Sequence, residues 1–264
     1  MIHLVTALRA EAEPLIEAFA LRRPEDGGGF EIFFGEGATL VISGVGRVAA
    51  AAGTAYLRAL CPADAAWLNV GVGAHARLAI GTPVVAHKIV EAASERRWFP
   101  QLIVTPPFAT ATVCTVDRAV RQAEGDRLYE MEASAFFATA TRWATAEVIA
   151  SVKLVSDRGI VAGSDLCQRS ARTMIAERAD EIVAYARQLE ALLDTVVQPP
   201  SDLAAILDRW HFSVTQRRQL GRLEIRARAL GACLEELLPA DARSSRQVLF
   251  ELGNRLDRLS SEPL

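Results

Sequence analysis

The chain has 264 residues, enough for one large α/β domain or a domain with an appendage. Hydrophobic residues make up 51%, so a sizeable core can form, and 29 Lys+Arg against 32 Asp+Glu leave a net charge of -3. That balance argues against a general attraction to nucleic acid or an anionic membrane, the scattered Cys61, Cys114, Cys167 and Cys233 suggest neither a disulfide framework nor a zinc site, and no run approaches the ~18 apolar residues of a membrane span.

The N-terminal Met1-Ile2-His3-Leu4-Val5-Thr6-Ala7 is soon interrupted by Arg9 and Glu11, too soon for a signal peptide, so a cytoplasmic protein is expected. Ile2 to Ala7 reads as a strand and Glu11 to Phe19 as a helix. A Gly27-Gly28-Gly29 turn leads to a hairpin of 30–34 and 39–43 joined at Gly35-Glu36-Gly37. An alanine-rich helix follows from Arg47 to about Leu60, then strands over 66–70 and 82–90 and an irregular stretch with Pro100, Pro106 and Pro107. A helix from Ala133 to about Thr145 precedes a strand over 148–156, and a long amphipathic helix runs from about Ser170 to near Val197. The alternation predicts an α/β layered domain with a largely buried sheet. Gln198-Pro199-Pro200-Ser201 marks a boundary, with Ser201 or Asp202 able to cap the next helix. Beyond it the pattern is purely helical, with Leu203, Ile206, Leu207 and Trp210 on one face. Thr215-Gln216-Arg217-Arg218 imitates a DNA-recognition segment, but the near-neutral tail favours a helical cap or partner-docking surface over nucleic acid.

Several acids stand where chemistry is done. Glu130 and Glu132 flank Met131 just before a helix; in extended backbone they point to opposite faces, so only one is expected in a pocket. That one could accept hydrogen bonds from a vicinal diol, since a carboxylate offers four lone-pair sites, or simply complement the helix N-terminus. Asp157 ends a strand, where α/β sheets bind ligands, and it could equally cap the turn at Arg158-Gly159. Glu11 and Glu13 both sit where the first strand passes into the first helix, and nothing local chooses between them. Ser43-Gly44-Val45-Gly46-Arg47-Val48-Ala49 imitates a dinucleotide fingerprint, but the next strand ends Leu68-Asn69-Val70-Gly71 without the required acid. These glycines and those of Gly71-Val72-Gly73 suit close approach of backbone to a packed element or a ligand. The four histidines lack metal-ligand spacing, and of them His75 borders a glycine cluster.

In order, the segments Ala7-Leu8-Arg9-Ala10-Glu11, Ser43 to Ala51, Asn69-Val70-Gly71-Val72-Gly73, Glu130-Met131-Glu132-Ala133 and Ser156-Asp157 resemble the nucleoside phosphorylase/nucleosidase superfamily. The likeness is greatest to the 5'-methylthioadenosine/S-adenosylhomocysteine nucleosidases, over about residues 1–195. It implies a three-layer αβα phosphorylase/hydrolase-like domain with a central mixed sheet over 1–197, leaving 201–264 as a C-terminal helical extension.

The resemblance also implies roles. Glu132 would bind the ribose hydroxyls, with Met131 against the sugar. Asp157, oriented by Ser156, would protonate the purine N7, a role that calls for a buried carboxyl. Glu11 would orient and deprotonate the attacking water. Glu130, Gly71, Val72, Gly73 and Lys153 would complete the substrate site; Val72 replaces a small hydroxyl residue and Lys153 a frequent arginine. Phe108 is a candidate to stack on the base. The expected reaction is hydrolysis of a purine nucleoside, a 5'-modified adenosine, without metal or organic cofactor. Phosphorolysis is the alternative, because Arg47 could serve phosphate, and a non-catalytic nucleoside-binding or interaction protein whose helical tail docks a partner is the second. A homodimer is expected on the same ground.

Overall fold

The computed structural model describes residues 1–24, 28–159, 165–196, 203–239 and 241–259. Gly27 of the expected turn, the boundary at Gln198–Ser201, the cap at Asp202 and the helix end at Val197 lie outside them. The chain divides into two compact units, Met1–Val197 and Gln198–Leu264.

In the first unit the strands are β1 (Ile2–Thr6), β2 (Glu31–Gly35), β3 (Ala38–Ile42), β4 (Ala66–His75), β5 (Pro83–Glu91), β6 (Arg97–Trp98), β7 (Ala109–Thr115), β8 (Arg127–Glu130) and β9 (Ile149–Asp157). The helices are α1 (Arg9–Ala18), α2 (Arg47–Leu60), α3 (Ala133–Ala140), α4 (Asp165–Ala176), α5 (Ala179–Ala191) and α6 (Leu193–Val196). All the strands join one mixed sheet in the order β2-β3-β1-β4-β8-β7-β5-β6, and β9 bridges β4 and β5. β1 runs parallel to β3 and β4, and β9 parallel to β4 and antiparallel to β5. The order β4-β9-β5-β7-β8 therefore closes on itself, so the middle of the sheet is a small ring rather than an open ribbon.

Alternation along the strands builds a core on each face. Leu4, Leu68 and Val70 pack with Ala12 and Leu15 of α1, Ile175 of α4 and Ile182, Tyr185 and Leu189 of α5. Val5, Val41 and Trp67 turn the other way, onto Leu57 of α2 and Phe136, Phe137 and Ala140 of α3. This is the three-layer arrangement expected from the sequence. Each fully buried leucine contributes on the order of 1.5–3 kcal/mol.

Several boundaries differ from the sequence reading. The expected helix 170–197 is broken at Glu177-Arg178, so that α4 can pack on α1 while α5 continues under the sheet. α3 stops at Ala140 rather than near Thr145. β4 continues through the glycines to His75, and the stretch after Pro100 contains β6-flanking coil and then the paired strands β7 and β8.

The second unit contains α7 (Leu203–Arg209), α8 (Val214–Ala229) and α9 (Ser245–Leu259). They bury Ile206, Trp210, Phe212, Leu220, Val248, Leu252 and their neighbours in a core of their own. Within Thr215–Arg218, Gln216 closes a capping box with Ser213, and the Arg217 guanidinium donates to the Phe212 carbonyl.

Candidate active site

The ends of β1, β4, β8 and β9, with the loop after β7, enclose a cavity of about 520 Å³. Glu11, Glu130, Glu132 and Asp157 all line it, among mostly apolar neighbours that include Leu8, Val45, Val72, Val116, Val120 and Met131.

Glu11 lies in the first turn of α1 and is buried. Its Oε2 accepts the Ala7 and Leu8 amides at 2.9 Å each, and Oε1 accepts the Val72 amide at 3.1 Å. Three of its four lone-pair sites are thus filled by rigid backbone donors, leaving one on Oε1. Burial raises its pKa, with Lys153 and these amides opposing. Glu13, in contrast, forms surface ion pairs with Arg9 and Arg172.

β8 ends at Glu130, and the chain then leaves the extended conformation, with Glu132 at φ -126, ψ -39 as the residue before α3. The opposite-face expectation for Glu130 and Glu132 fails for that reason, and both reach the cavity. Glu130 is the helix cap: its Oε2 accepts the Glu132 and Ala133 amides at 3.0 and 2.8 Å. Its Oε1 accepts the Thr115 hydroxyl at 2.5 Å, and Lys153 Nζ stands 3.0 Å from Oε2. Burial pushes the Glu130 carboxyl up, but the ammonium and these donors outweigh it and hold the group below its usual range.

Glu132 accepts one hydrogen bond, from the Gly46 amide at 2.7 Å. Burial, reinforced by the negative Glu130 and Glu11, lifts its pKa to about 7 in spite of Lys153. Gly46 has φ +99, a conformation that favours glycine, and so turns its amide to this carboxylate at the mouth of α2.

Asp157, half-buried, accepts the Gly159 amide at 2.6 Å on Oδ1. Ser156 Oγ lies 2.7 Å from Oδ2 and 3.2 Å from the Gly73 carbonyl oxygen.

No family model matches the sequence, and no curated protein matches it. Solved structures do match the fold. The 5'-methylthioadenosine/S-adenosylhomocysteine nucleosidase of Neisseria meningitidis, in complex with methylthio-immucillin-A, superposes with a TM-score of 0.56 at 22% identity, over 70% of this chain and 98% of that one. For the 5'-methylthioadenosine nucleosidase of Arabidopsis thaliana the TM-score is 0.59 at 16% identity, over 71% and 95%. The futalosine hydrolase of Helicobacter pylori gives 0.52 at 14% identity, over 74% and 97%. The chain has the nucleosidase fold.

Within that nucleosidase fold, the sequence-derived residues separate into those on the cavity wall and those behind it. Glu11, Val72, Gly73, Glu130, Met131, Glu132, Ser156 and Asp157 are on the wall. Gly71 and Lys153, expected at the substrate, are not: Lys153 is buried behind the carboxylates, opposite Gly71 in the β4–β9 register. Phe108 does not line the cavity and packs against the core instead. Arg47 is held by Glu91 and by Asp117 at 2.6 Å, so its charge is already matched by two carboxylates. His75 accepts the Arg77 and Leu78 amides on Nδ1, a turn-stabilising role.

Sequence reasoning missed Thr115, whose hydroxyl donates to Glu130 and accepts the Ser134 amide. It also missed the wall formed by Val116, Asp117, Arg118, Ala119 and Val120. The only sequence signal for Thr115 is its place at the end of a threonine-rich strand.

Proposed function

We propose that this cavity hydrolyses the N-glycosidic bond of a purine nucleoside, a 5'-modified adenosine such as methylthioadenosine, adenosylhomocysteine or 5'-deoxyadenosine, releasing adenine. The observation that carries the reading is the convergence of three differently held carboxylates, Glu11, Glu132 and Asp157, on one largely apolar cavity. Glu132 keeps acceptor sites free for the ribose hydroxyls, with Met131 beside them. Asp157 donates a proton to the purine N7 as the C1'–N9 bond breaks and its electron pair passes to the base. Water attacks C1' and loses a proton to Glu11, whose remaining lone pair on Oε1 and buried setting suit a base. The surrounding carboxylates stabilise an oxocarbenium-like transition state.

Hydrolysis is preferred to phosphorolysis because the cavity wall is acidic and Arg47 is already paired. Arg118 is the one cationic side chain among the described lining residues, and it keeps phosphate worth testing. The resemblance extends the proposal to a homodimer. The test is incubation with a panel of purine nucleosides, with and without phosphate. Free base and free sugar at the same rate in both support hydrolysis; phosphate-dependent formation of a sugar 1-phosphate makes the protein a phosphorylase. Tight binding without base release across the panel would make it a nucleoside-binding protein.

A further inference from the structure

Lys153 is the one lysine buried in this chain, and nothing in the proposed reaction uses it directly. On β9, Ala150, Val152 and Leu154 join the core beneath α1, α4 and α5, so alternation turns Lys153 to the opposite face. The register places Gly71 directly across from it. A Cβ at Gly71 would lie 3.1 Å from Lys153 Nζ and 3.0 Å from Glu11 Oε1, so the missing side chain leaves the room that the ammonium and the carboxylate each need. Three buried glutamates from α1, β8 and the start of α3 thus share one buried ammonium. An ammonium this deep persists only when paired, and the Glu130 carboxylate at 3.0 Å supplies the pair.

We propose that Lys153 is the positioning residue of the site: it holds Glu130 ionised as the cap of α3, and this fixed charge pair sets whether Glu132 is ionised to receive a ligand's hydroxyls. The proposal deepens the nucleosidase reading and rests on it for the identity of the ligand, not for the charge arrangement. Glu132 carries one of the two capped amides, so a break in the Glu130–Lys153 pair would loosen the start of α3 and move Glu132 with it. The pair also acts through space. Around Glu132 stand Glu11 from α1, the Gly46 amide at α2, Glu130 from β8 and Lys153 from β9, while Asp157, Asp117 and Arg118 line the same cavity. Of these, Lys153 is the cation deepest in the cluster, and its removal leaves repulsion between carboxylates unopposed. A carboxylate that loses a neighbouring cation titrates at higher pH.

The experiment follows the Glu132 carboxyl by carbon-13 NMR of the full chain labelled at glutamate, with Glu132→Gln providing the assignment. In Lys153→Arg the midpoint stays within about half a pH unit of the parent, because the charge is kept; in Lys153→Met it rises by about one pH unit or more. Since Lys153→Met leaves the buried Glu130 charge without its cation and threatens folding, the same comparison is made between Glu130→Gln, where the ammonium still has Glu132 and Glu11 nearby, and Glu130→Gln with Lys153→Met, where neither member of the pair remains. A rise of about one pH unit on that background supports the proposal; a change under about half a unit overturns it. Base release from a nucleoside is assayed separately on the parent protein. If the titration moves as expected while the parent releases no base, the nucleosidase reading fails and the role of Lys153 stands.

Discussion

Glu132→Gln should separate stability from function, and the structure fixes the pH at which it does so. The Glu132 carboxyl is lifted from 4.5 to about 7, chiefly by burial. An unfolded chain loses this proton near 4.5 and the folded chain near 7, so the group stabilises the fold fully at low pH. That contribution declines above about 4.5 and is gone once the pH has risen through about 7. At about 1.4 kcal/mol per pH unit, and with the titration shared among Glu11, Glu130 and Lys153, the loss between pH 5 and pH 8 is about 2–3 kcal/mol. Glutamine imitates the neutral acid at every pH. The variant should therefore match the parent near pH 5 and exceed it at pH 8, by roughly 4–12 °C in Tm for a unit of this size. It should also bind nucleosides poorly, because an amide accepts at one atom only and lacks the charge. Thermal or urea unfolding of both proteins at pH 5 and pH 8 measures this. A difference that is the same at both pH values, or a variant weakened more at pH 8 than at pH 5, would refute the reasoning.

Ligand binding needs Glu132 ionised, so kcat/KM should rise with pH through an acid limb near 7; a profile flat from pH 5.5 to 8 would count against it. Asp157→Asn and Glu11→Gln should each slow base release by about 10²–10⁴-fold while leaving the circular dichroism spectrum intact. Arg47→Ala frees Asp117 and the loop it anchors, so KM should rise several-fold with a smaller change in kcat, and added phosphate should not accelerate the parent. Gly73→Ala would place a Cβ 2.5 Å from the Tyr129 carbonyl oxygen and 2.4 Å from Leu128 Cδ2, which should destabilise by about 3 kcal/mol in urea unfolding.

What was legible in the sequence followed from local signals. The hairpin of β2 and β3 announced itself by apolar runs around a Gly-Glu-Gly turn, and α2 by its alanine-rich pattern between Arg47 and Leu60. The apolar run 66–70 covers only the first half of β4, because Gly71 and Gly73 interrupt it. They are strand residues, glycine because Lys153, Glu11, Leu128 and Tyr129 approach too closely for a Cβ. β7 and β8 carry little apolar periodicity, and partners distant in sequence, β5 and β4, make them strands. The break between α4 and α5 has neither proline nor glycine to mark it; it follows from the surface each must cover. In the site, local signals pick out the acids, and only the resemblance assigns Glu11, Glu132 and Asp157 separate roles. That Glu130 is filled as the helix cap while Glu132 keeps acceptor sites open depends on the backbone turning at Met131, and that Arg47 is occupied depends on Glu91 and Asp117, far away in the chain.

Ser156 carries one hydroxyl proton and stands between two acceptors, the Asp157 carboxylate and the Gly73 carbonyl. If the serine turns that proton to the carboxylate, it occupies one lone pair of Oδ2, so a proton held by Asp157 stays on the side of the base rather than of the serine. Once that proton has gone to the base, the serine can go on donating to the carboxylate. No heavy atom has to move. In the proposed reaction, the acid is therefore aimed the same way before and after it discharges.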